Sequence, residues 1–270
     1  MESEPIKISP SQLNLFQKCQ KWWSYKYLDR LPPEPKPITA SFISGCILHQ
    51  AVNTWIKSGK SAPIPLVSSF LEEFLNNNPD CPLKFTEKLP LLELMKRLQI
   101  TAEAVKAKLI GRFKRVLLAE EELQVELPTG FILRGFPDIV AIDENNNTVL
   151  VDIKCSHRIK TVTEVRGYYL QLCSYAFLLQ LHDIHVDRIE ILSLAISSSL
   201  KPRNGSGFNI AWVPLEGDFE QDFKDTLNSF CDHIFFKLPA LRNGIQQGTC
   251  GWCAYAQHCL GKEVVKQNAA

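Results

Sequence analysis

The chain has 270 residues, of which 45% are hydrophobic and 22% are charged, and its formal net charge is +1. This composition is typical of a soluble globular protein, and the near-zero charge excludes nucleic-acid binding through a strong overall field, so that local basic patches would be needed. No apolar run reaches the ~18 residues of a membrane span, and the first residues lack a secretory pattern. Nine cysteines, an odd number, then suggest reduced thiols in a cytoplasmic protein. We expect one domain over residues 1–270.

The first predicted element is a helix that begins with a capping box at Ser9–Gln12 and runs to about Leu28. Cys19 lies inside it, and a lone cysteine is usually a small buried hydrophobic residue. A proline-rich connector follows at residues 32–37. A second helix is predicted from Ala40 to Ser58, and it carries His49 in an apolar context. Such a histidine is usually a core residue, unless its helix packs against the hairpin described below.

Residues 60–120 look helical throughout, with breaks at prolines, and we interpret them as a helical insertion packed on the sheet. The basic residues in Leu91–Leu118 are typical of a solvated face, although they could equally line a phosphate track. A strand is predicted at Leu123–Leu127, directly after the acidic triplet Glu120–Glu122.

The most informative segment is Phe131–Lys154, which is predicted to form a β-hairpin around the turn-forming run DENNN. If Ile142 pairs with Thr148, the same register places Asp138 directly opposite Asp152. Opposed Cβ atoms lie about 4.5–5.5 Å apart, and like charges at such positions destabilise the pair.

Two facing carboxylates therefore call for a cation between them. Strand alternation puts Lys154 on the same face as Asp152, whereas Val151 and Ile153 should face the core. Two acids and a lysine indicate metal-assisted hydrolysis with a hard ion such as Mg²⁺ or Mn²⁺. The alternative is an Asp–Lys pair on a solvated strand, and a one-residue change in register would break the geometry.

Downstream of this strand, a short basic loop contains Arg158 and Lys160, and a capping box at Thr161–Glu164 begins a helix that runs to about Leu181. Its face carries Tyr168, Gln171 and Tyr175, and this face could meet a nucleotide or could belong to a core helix with edge tyrosines. Two strands, Arg188–Ile196 and Phe208–Val213, and a helix, Asp218–Leu238, complete the predicted elements.

Three cysteines in the tail, Cys250, Cys253 and Cys259, have a spacing that suits metal binding. They need a fourth ligand. His258 would give a zinc site, whereas a remote cysteine would suit either zinc or an iron–sulfur cluster. A disulfide arrangement fits poorly in a protein without an export signal.

Together these residues resemble the PD-(D/E)XK nuclease superfamily, and in particular its RecB-like branch with an iron–sulfur staple, which includes the AddB nuclease domain and CRISPR-adaptation exonucleases. The matching segments are Ser11–Tyr27, Gly45–His49, Gly135–Tyr175 and Cys250–Cys259. The resemblance implies an α/β fold with a restriction-endonuclease-like core, a central mixed sheet flanked by helices, an insertion at residues 60–120 and a C-terminal cysteine cluster.

The resemblance also implies site residues, which fall into four roles. The implied metal ligands are His49, Asp138, Asp152 and the Ile153 carbonyl. The implied catalytic residues are Asp138, Asp152, Lys154, Gln171 and Tyr175. The implied DNA contacts are Arg158, Lys160, Tyr168 and Trp22, with Trp23 and Tyr169 as further stacking candidates. The implied ligands of a four-iron, four-sulfur (4Fe-4S) cluster are Cys19, Cys250, Cys253 and Cys259, which would tie residues 248–261 to the first helix. The family's upstream glutamate could be any of Glu120–Glu122.

These inferences predict a Mg²⁺- or Mn²⁺-dependent nuclease, an exonuclease on single-stranded DNA, that acts in DNA repair, recombination or CRISPR spacer processing. A partner helicase or integrase is expected because the sequence contains no Walker-type glycine loop. Two alternatives belong to other classes: a catalytically silent DNA-binding or adaptor subunit, and a zinc-stabilised RNA-binding protein.

Overall fold

The computed structural model describes residues 6–34, 38–59, 65–79, 83–84, 91–156, 161, 164, 168–195, 210–215 and 219–261. Its strands are β1 (Lys7–Ile8), β2 (Ile38–Thr39), β3 (Leu83–Lys84), β4 (Phe113–Leu118), β5 (Leu123–Glu126), β6 (Ile132–Gly135), β7 (Ile139–Asp143), β8 (Thr148–Ser156), β9 (Arg188–Ala195) and β10 (Ile210–Leu215). Its main helices are α1 (Pro10–Lys18), α2 (Gln20–Trp23), α3 (Ala40–Lys57), α4 (Val67–Asn77), α5 (Leu91–Leu109), α6 (Tyr169–Leu181), α7 (Phe219–Phe235) and α8 (Ala256–Leu260).

The strands form two larger sheets and one short pair. The main sheet has the order β10-β9-β8-β7-β4, in which β8 and β9 are parallel and the other neighbours are antiparallel. A second sheet has the order β1-β6-β5, with β1 parallel to β6, and β2 pairs with β3. This mixed α/β arrangement, with helices around the sheets, confirms the predicted restriction-endonuclease-like fold class.

The main sheet is buried on both faces, which explains why its strands are so apolar. On one face Val151 and Ile153 join the core formed with α3, α4 and α5. On the other face Leu150 and Ile191 join the core formed with α1, α6 and α7. The predicted alternation along β8 is therefore confirmed, and Asp152 belongs to the face that α6 covers.

The predicted hairpin register is confirmed, because Ile142 pairs with Thr148 and Ile139 pairs with Val151. The extent of the first strand is not as predicted. The strand is interrupted at residues 136–138, so that β6 and β7 belong to different sheets. Pro137 lacks the N–H that a central strand needs, which is a sufficient physical reason for the break. Asp138 consequently stands just before β7 and not within a continuous ribbon.

The predicted helix from Ser9 to Leu28 begins as expected, with the Ser9 side chain accepting from the Gln12 N–H. It does not continue as one helix, because Cys19 adopts an extended conformation, with φ −166° and ψ 108°, and separates α1 from α2. A π-helical turn at Ser24–Leu28 then follows α2. The interruption places Cys19 at a corner of the fold.

In the region predicted to be helical over residues 60–120, the described part contains α4 and α5 but also β4, the edge strand of the main sheet. The predicted helix across Leu91–Leu118 is thus wrong beyond Leu109. Gly111, with a φ of +73°, lies directly between the helix and the strand. The treatment of residues 60–120 as an insertion stays a prediction.

Most of the later predicted elements are confirmed. The capping box forms, with Thr161 N–H donating to Glu164 and the Glu164 N–H donating to the Thr161 hydroxyl. β9 and α7 lie close to their predicted ranges, and α6 ends at Leu181 as predicted but begins at Tyr169, eight residues after Thr161. The described strand β10 starts two residues later than predicted. Arg158 and Lys160 lie outside the described residues. Within the described part, none of the helices is both long and apolar enough to cross a membrane.

Candidate active site

Three side chains that are distant in sequence meet at one edge of the main sheet. His49 Nδ1 lies 3.3 Å from Glu120 Oε1 and 3.4 Å from Asp138 Oδ1. One potential ligand atom from each of these residues lies within 4.8 Å of the others. The three side chains are partly buried, so that they form a concave acidic site around an imidazole.

His49 reaches this site because α3 packs directly on β8. Its Nε2 atom lies 2.8 Å from the carbonyl oxygen of Ile153, and both residues belong to the metal-ligand set that the family resemblance implies. Because its helix packs against the hairpin, His49 is a candidate metal ligand and not simply a core histidine.

The structure distinguishes Glu120 from the other members of the acidic triplet. Besides its contact with His49, Glu120 accepts a hydrogen bond at Oε2 from the Asn53 amide, at 2.9 Å. Its backbone has a φ of +46°, and its N–H donates to the Pro137 carbonyl at 3.0 Å. Glu122 instead points to Arg134 at a partly exposed position. The left-handed conformation turns Glu120 into the site, which no periodic pattern in the sequence could reveal.

Asp138 is fixed by the backbone of the neighbouring strand. The Ile153 N–H donates to Asp138 Oδ2 at 2.6 Å, while Oδ1 faces His49. A carboxylate held by a backbone N–H and an imidazole loses little freedom when it takes up a role as ligand.

Asp152 lies at the same end of the sheet but is paired with Lys154. The Asp152 side chain is 1% exposed, and Lys154 Nζ lies 2.8 Å from Oδ1 and 2.7 Å from Oδ2. Only the contact to Oδ1 has hydrogen-bond geometry, but the ammonium group is also in ion-pair contact with Oδ2. A buried carboxylate is costly unless it is paired, and Lys154 supplies the partner.

The ionisable groups at the site shift one another's pKa values. Burial works to lower the pKa of His49, but Asp138 and Glu120 raise that pKa well above its ordinary value of 6.5. Burial raises the pKa of Asp152 to about 6, against the effect of Lys154. Burial also opposes the charge on Lys154, but Asp152 and Asp138 bring its pKa above 10.5. The ammonium group of Lys154 therefore stays protonated at neutral pH.

Helix α6 and the residue before it place the predicted polar face, Tyr168, Gln171 and Tyr175, next to the Asp152–Lys154 pair. Gln171 Nε2 lies 3.0 Å from the hydroxyl of Tyr175, and the ring of Tyr168 lies 4.9 Å from Lys154 Nζ. Tyr175 is 7% exposed and belongs to the core, so that only its hydroxyl end points toward Gln171. Burial raises the pKa of Tyr175. The core-helix interpretation of α6 is confirmed, and the contact of its polar residues with a nucleotide stays a prediction.

A cleft of about 590 Å³ opens onto the site from solvent. One wall is α3 and the other is the end of β8. The lining residues are Phe42, Gly45, Cys46, His49, Gln50, Glu120, Ile153, Lys154 and Cys155. The cleft gives a substrate direct access to His49, Glu120 and Lys154.

The residues fit a divalent cation. Adjacent ligands of an octahedral ion bound at 2.0–2.1 Å lie about 3 Å apart. His49 Nδ1 lies 3.3 Å from Glu120 Oε1 and 3.4 Å from Asp138 Oδ1, close to this spacing, whereas Nε2, on the other side of the ring, faces the Ile153 carbonyl. Asp152 is paired with Lys154 and is not among the three residues whose potential ligand atoms converge.

A second cluster brings together the four predicted cysteines. Cys19, Cys250, Cys253 and Cys259 all line one cavity between the α1–α2 corner and the C-terminal segment. No disulfide links the cysteines in the described part of the chain. Burial, followed by the neighbouring thiols of Cys19 and Cys259, raises the pKa of Cys250. A cation among the four sulfurs would offset that repulsion between thiolates.

Gly244 shows how closely the two chain ends approach each other. A Cβ atom at this position would lie 2.9 Å from the Cβ and 3.1 Å from the Sγ of Cys19. The Leu241 carbonyl also accepts from the Lys21 N–H at 2.9 Å. Close packing at Gly244 and the Lys21–Leu241 hydrogen bond therefore place Cys19 against the C-terminal segment.

One of the predicted stacking candidates lies in the core. Trp23 is 1% exposed and packs edge-on against Phe16 and Phe230, so that its predicted role in stacking is wrong. Trp22 lines the cysteine cavity.

The fold and the acidic site define a class of protein. The family model of the PD-(D/E)XK nuclease superfamily matches residues 7–260, and the chain belongs to that superfamily. Among solved structures, a protein from Eubacterium rectale named "Putative exonuclease" is similar to it, with a TM-score of 0.57 and 16% identity over 93% of this chain and 87% of that one. SSO0001 aligns over 93% of this chain and 96% of its own, with 15% identity and a TM-score of 0.38. No curated protein matches the chain.

Proposed function

We propose that the protein is a metal-dependent deoxyribonuclease that degrades single-stranded DNA from an end. The observation that carries this proposal is the convergence of His49, Glu120 and Asp138 beside the Asp152–Lys154 pair, at the mouth of an open cleft. The superfamily implies DNA as the substrate. The name of the Eubacterium rectale protein supports exonuclease action.

In this proposal His49, Glu120, Asp138 and Asp152 hold Mg²⁺ or Mn²⁺, with the Ile153 carbonyl as a further ligand. When bound, such an ion lowers the pKa of a coordinated water and neutralises charge on the phosphate. The backbone N–H of Ile153 orients Asp138, and the Asn53 amide orients Glu120. These two contacts hold the acids in place before the substrate arrives.

Lys154 acts as a fixed positive charge and not as a base. Because Asp152 and Asp138 keep its pKa above 10.5, it carries a proton throughout the neutral range. An ammonium group aimed at a phosphate can stabilise the charge that develops on the oxygens during hydrolysis. Gln171 and Tyr175 form a hydrogen-bonded pair that positions the strand, and Tyr168 offers a ring for base stacking beside Lys154.

The test is a digestion assay with oligonucleotides labelled at either end, in Mg²⁺, in Mn²⁺ and in EDTA. We expect wild-type protein to shorten single strands only when the ion is present, and Lys154→Ala to lose activity by at least 100-fold. Equal activity of the two proteins would refute the assigned role of Lys154. Absence of ion-dependent cleavage by the wild type would favour a silent DNA-binding or adaptor subunit.

We further propose that Cys19, Cys250, Cys253 and Cys259 hold a 4Fe-4S cluster. Their shared cavity and their origin at both chain ends support one polynuclear site. Protein purified without oxygen should be brown and contain iron and sulfide, and Cys250→Ser should lose both. Zinc in place of iron and sulfide would support the zinc alternative. A role in repair, recombination or spacer processing, with a helicase or integrase partner, belongs to the same proposal.

A further inference from the structure

The α3 wall of the active-site cleft is a single helix face. Phe42, Gly45, Cys46, His49 and Gln50 all line the cleft, and their spacing of three, four, seven and eight residues is that of one side of an α-helix. The face therefore runs without interruption from the acidic site to the first turn of the helix. It forms one wall of the cleft that opens onto His49.

Packing within the described part of the chain does not explain the glycine in the middle of this face. A glycine inside a helix is less favourable than alanine. A Cβ atom built on Gly45 meets no atom of the described residues within 4 Å, and its φ is not positive. The structural consequence of glycine here is a stretch of helix surface without a side chain, one turn from His49.

One turn further from the acidic site, Phe42 presents a large aromatic ring to the same cleft. Its side chain is 59% exposed. The order along the face is thus an exposed ring, a bare stretch of backbone and a candidate metal ligand. Phe42 and His49 are separated by seven residues, or about 10 Å along the helix axis.

We propose that this face binds the nucleotide next to the scissile phosphate of single-stranded DNA, with the sugar–phosphate backbone crossing Gly45 and the base stacked on Phe42. The inference rests on the proposed nuclease function and adds a substrate subsite to it. Stacking on an aromatic ring tolerates every base, as a nuclease without sequence preference requires. Lys154 lines the opposite wall and supplies positive charge for the phosphate.

Gly45→Ala gives the sharper test, because stability and binding should change in opposite directions. The added methyl group enters open space on a helix, so that the Tm should rise by about 2 °C. Affinity for a single-stranded oligonucleotide, measured by fluorescence anisotropy in Ca²⁺, should fall at least tenfold, while Mn²⁺ affinity stays unchanged. Unchanged DNA affinity, or a lower Tm, would overturn the assignment of Gly45.

Phe42→Ala should weaken oligonucleotide binding about tenfold, the loss expected for one stacked base. Phe42→Trp should restore binding, and Phe235→Ala, at a 74% exposed phenylalanine on α7, is the matched control that should leave it unchanged. An oligonucleotide with abasic sites throughout should bind wild type and Phe42→Ala equally. A loss in Phe42→Ala that persists on abasic DNA, or no loss at all, would overturn the stacking role.

The two proposals fail in distinguishable ways. Binding in Ca²⁺ does not depend on cleavage. If the wild-type protein does not cleave DNA in Mn²⁺ but Gly45→Ala and Phe42→Ala weaken DNA binding, the subsite proposal stands and the nuclease proposal fails. If the wild-type protein cleaves DNA but neither substitution changes DNA affinity, the nuclease proposal stands and the subsite proposal fails.

Discussion

A Cβ atom at Gly135 would lie 2.8 Å from Cε1 of Tyr175, so that these two residues can approach each other only because the first is glycine. The Tyr175 ring is buried in the core, and its hydroxyl is hydrogen bonded to Gln171. Two motifs that stand 40 residues apart in the sequence therefore share one steric constraint. Gly135 ends β6 and lies three residues before Asp138, so the constraint reaches the acidic site.

We expect Gly135→Ala to destabilise the protein by about 1–3 kcal/mol, since the extra methyl group overpacks a filled site. It should also lower kcat, because displacement of Tyr175 disturbs Gln171. Denaturant unfolding and single-turnover digestion measure the two effects. In a Tyr175→Leu background the same substitution should cost less, and full additivity in this double-mutant cycle would contradict the contact.

Glu120→Gln should lower both Mn²⁺ affinity and cleavage by one to two orders of magnitude. The substitution keeps the shape of the side chain but removes the charge that faces His49, and ligand or supporting acids at metal sites typically contribute this much. Titration calorimetry and the digestion assay are the measurements. The exposed neighbour Glu121 offers a matched control, and Glu121→Gln should behave as wild type. Equal losses in the two variants would show that the effect is a general one of charge.

The geometry of β7 and β8 could be predicted because the sequence specifies it locally. The turn residues at 143–147 set the register, and alternation assigns Asp152 and Lys154 to one face. The register alone does not place Asp138, which lies just before β7 and outside the paired residues. The combination of His49 with these acids depended on recognising a motif, because nothing local to α3 indicates that it packs on β8.

Three features were beyond prediction for physical reasons. The extended conformation at Cys19 interrupts a segment whose caps and apolar stripe favour one helix, so that tertiary contacts with Leu241 override local preference. Strand β4 could not be predicted because its basic residues resemble those of a solvated helix face. Glu120 was one of three equivalent acids until its positive φ and its bond to Asn53 separated it from the others.

Metal binding should release a proton at neutral pH. Asp138 and Glu120 hold the pKa of His49 well above 6.5, so that the metal-free protein carries an imidazolium there, whereas a metal ligand must be neutral. Mn²⁺ affinity should therefore fall, by up to about tenfold per pH unit, as the pH drops below this raised pKa. Calorimetry in buffers of different ionisation enthalpy counts the protons. His49→Gln should bind Mn²⁺ more weakly with no such release near pH 7, and an unchanged proton count would remove His49 from the ligand set.

The stability of the metal-free protein should depend on pH through Asp152. Burial raises the pKa of this carboxyl from 3.8 to about 6, so that between these values the folded state binds more protons than the unfolded state. The free energy of unfolding contributed by Asp152 must then decrease as the pH rises through that window. Asp152→Asn keeps the shape without the titration, so that the variant should gain stability relative to wild type from pH 4 to pH 7 in EDTA.

Lys154→Met should make stability depend more steeply on pH than in the wild type, because removing one partner leaves the buried carboxylate of Asp152 uncompensated, at a cost of about 3–5 kcal/mol. Saturating Mg²⁺ should flatten the dependence of the wild type, since the ion takes over the charge of Asp152. A stability difference between wild type and Asp152→Asn that stays constant with pH, by urea unfolding, would mean that this carboxylate is not held in the buried, paired state on which the site depends.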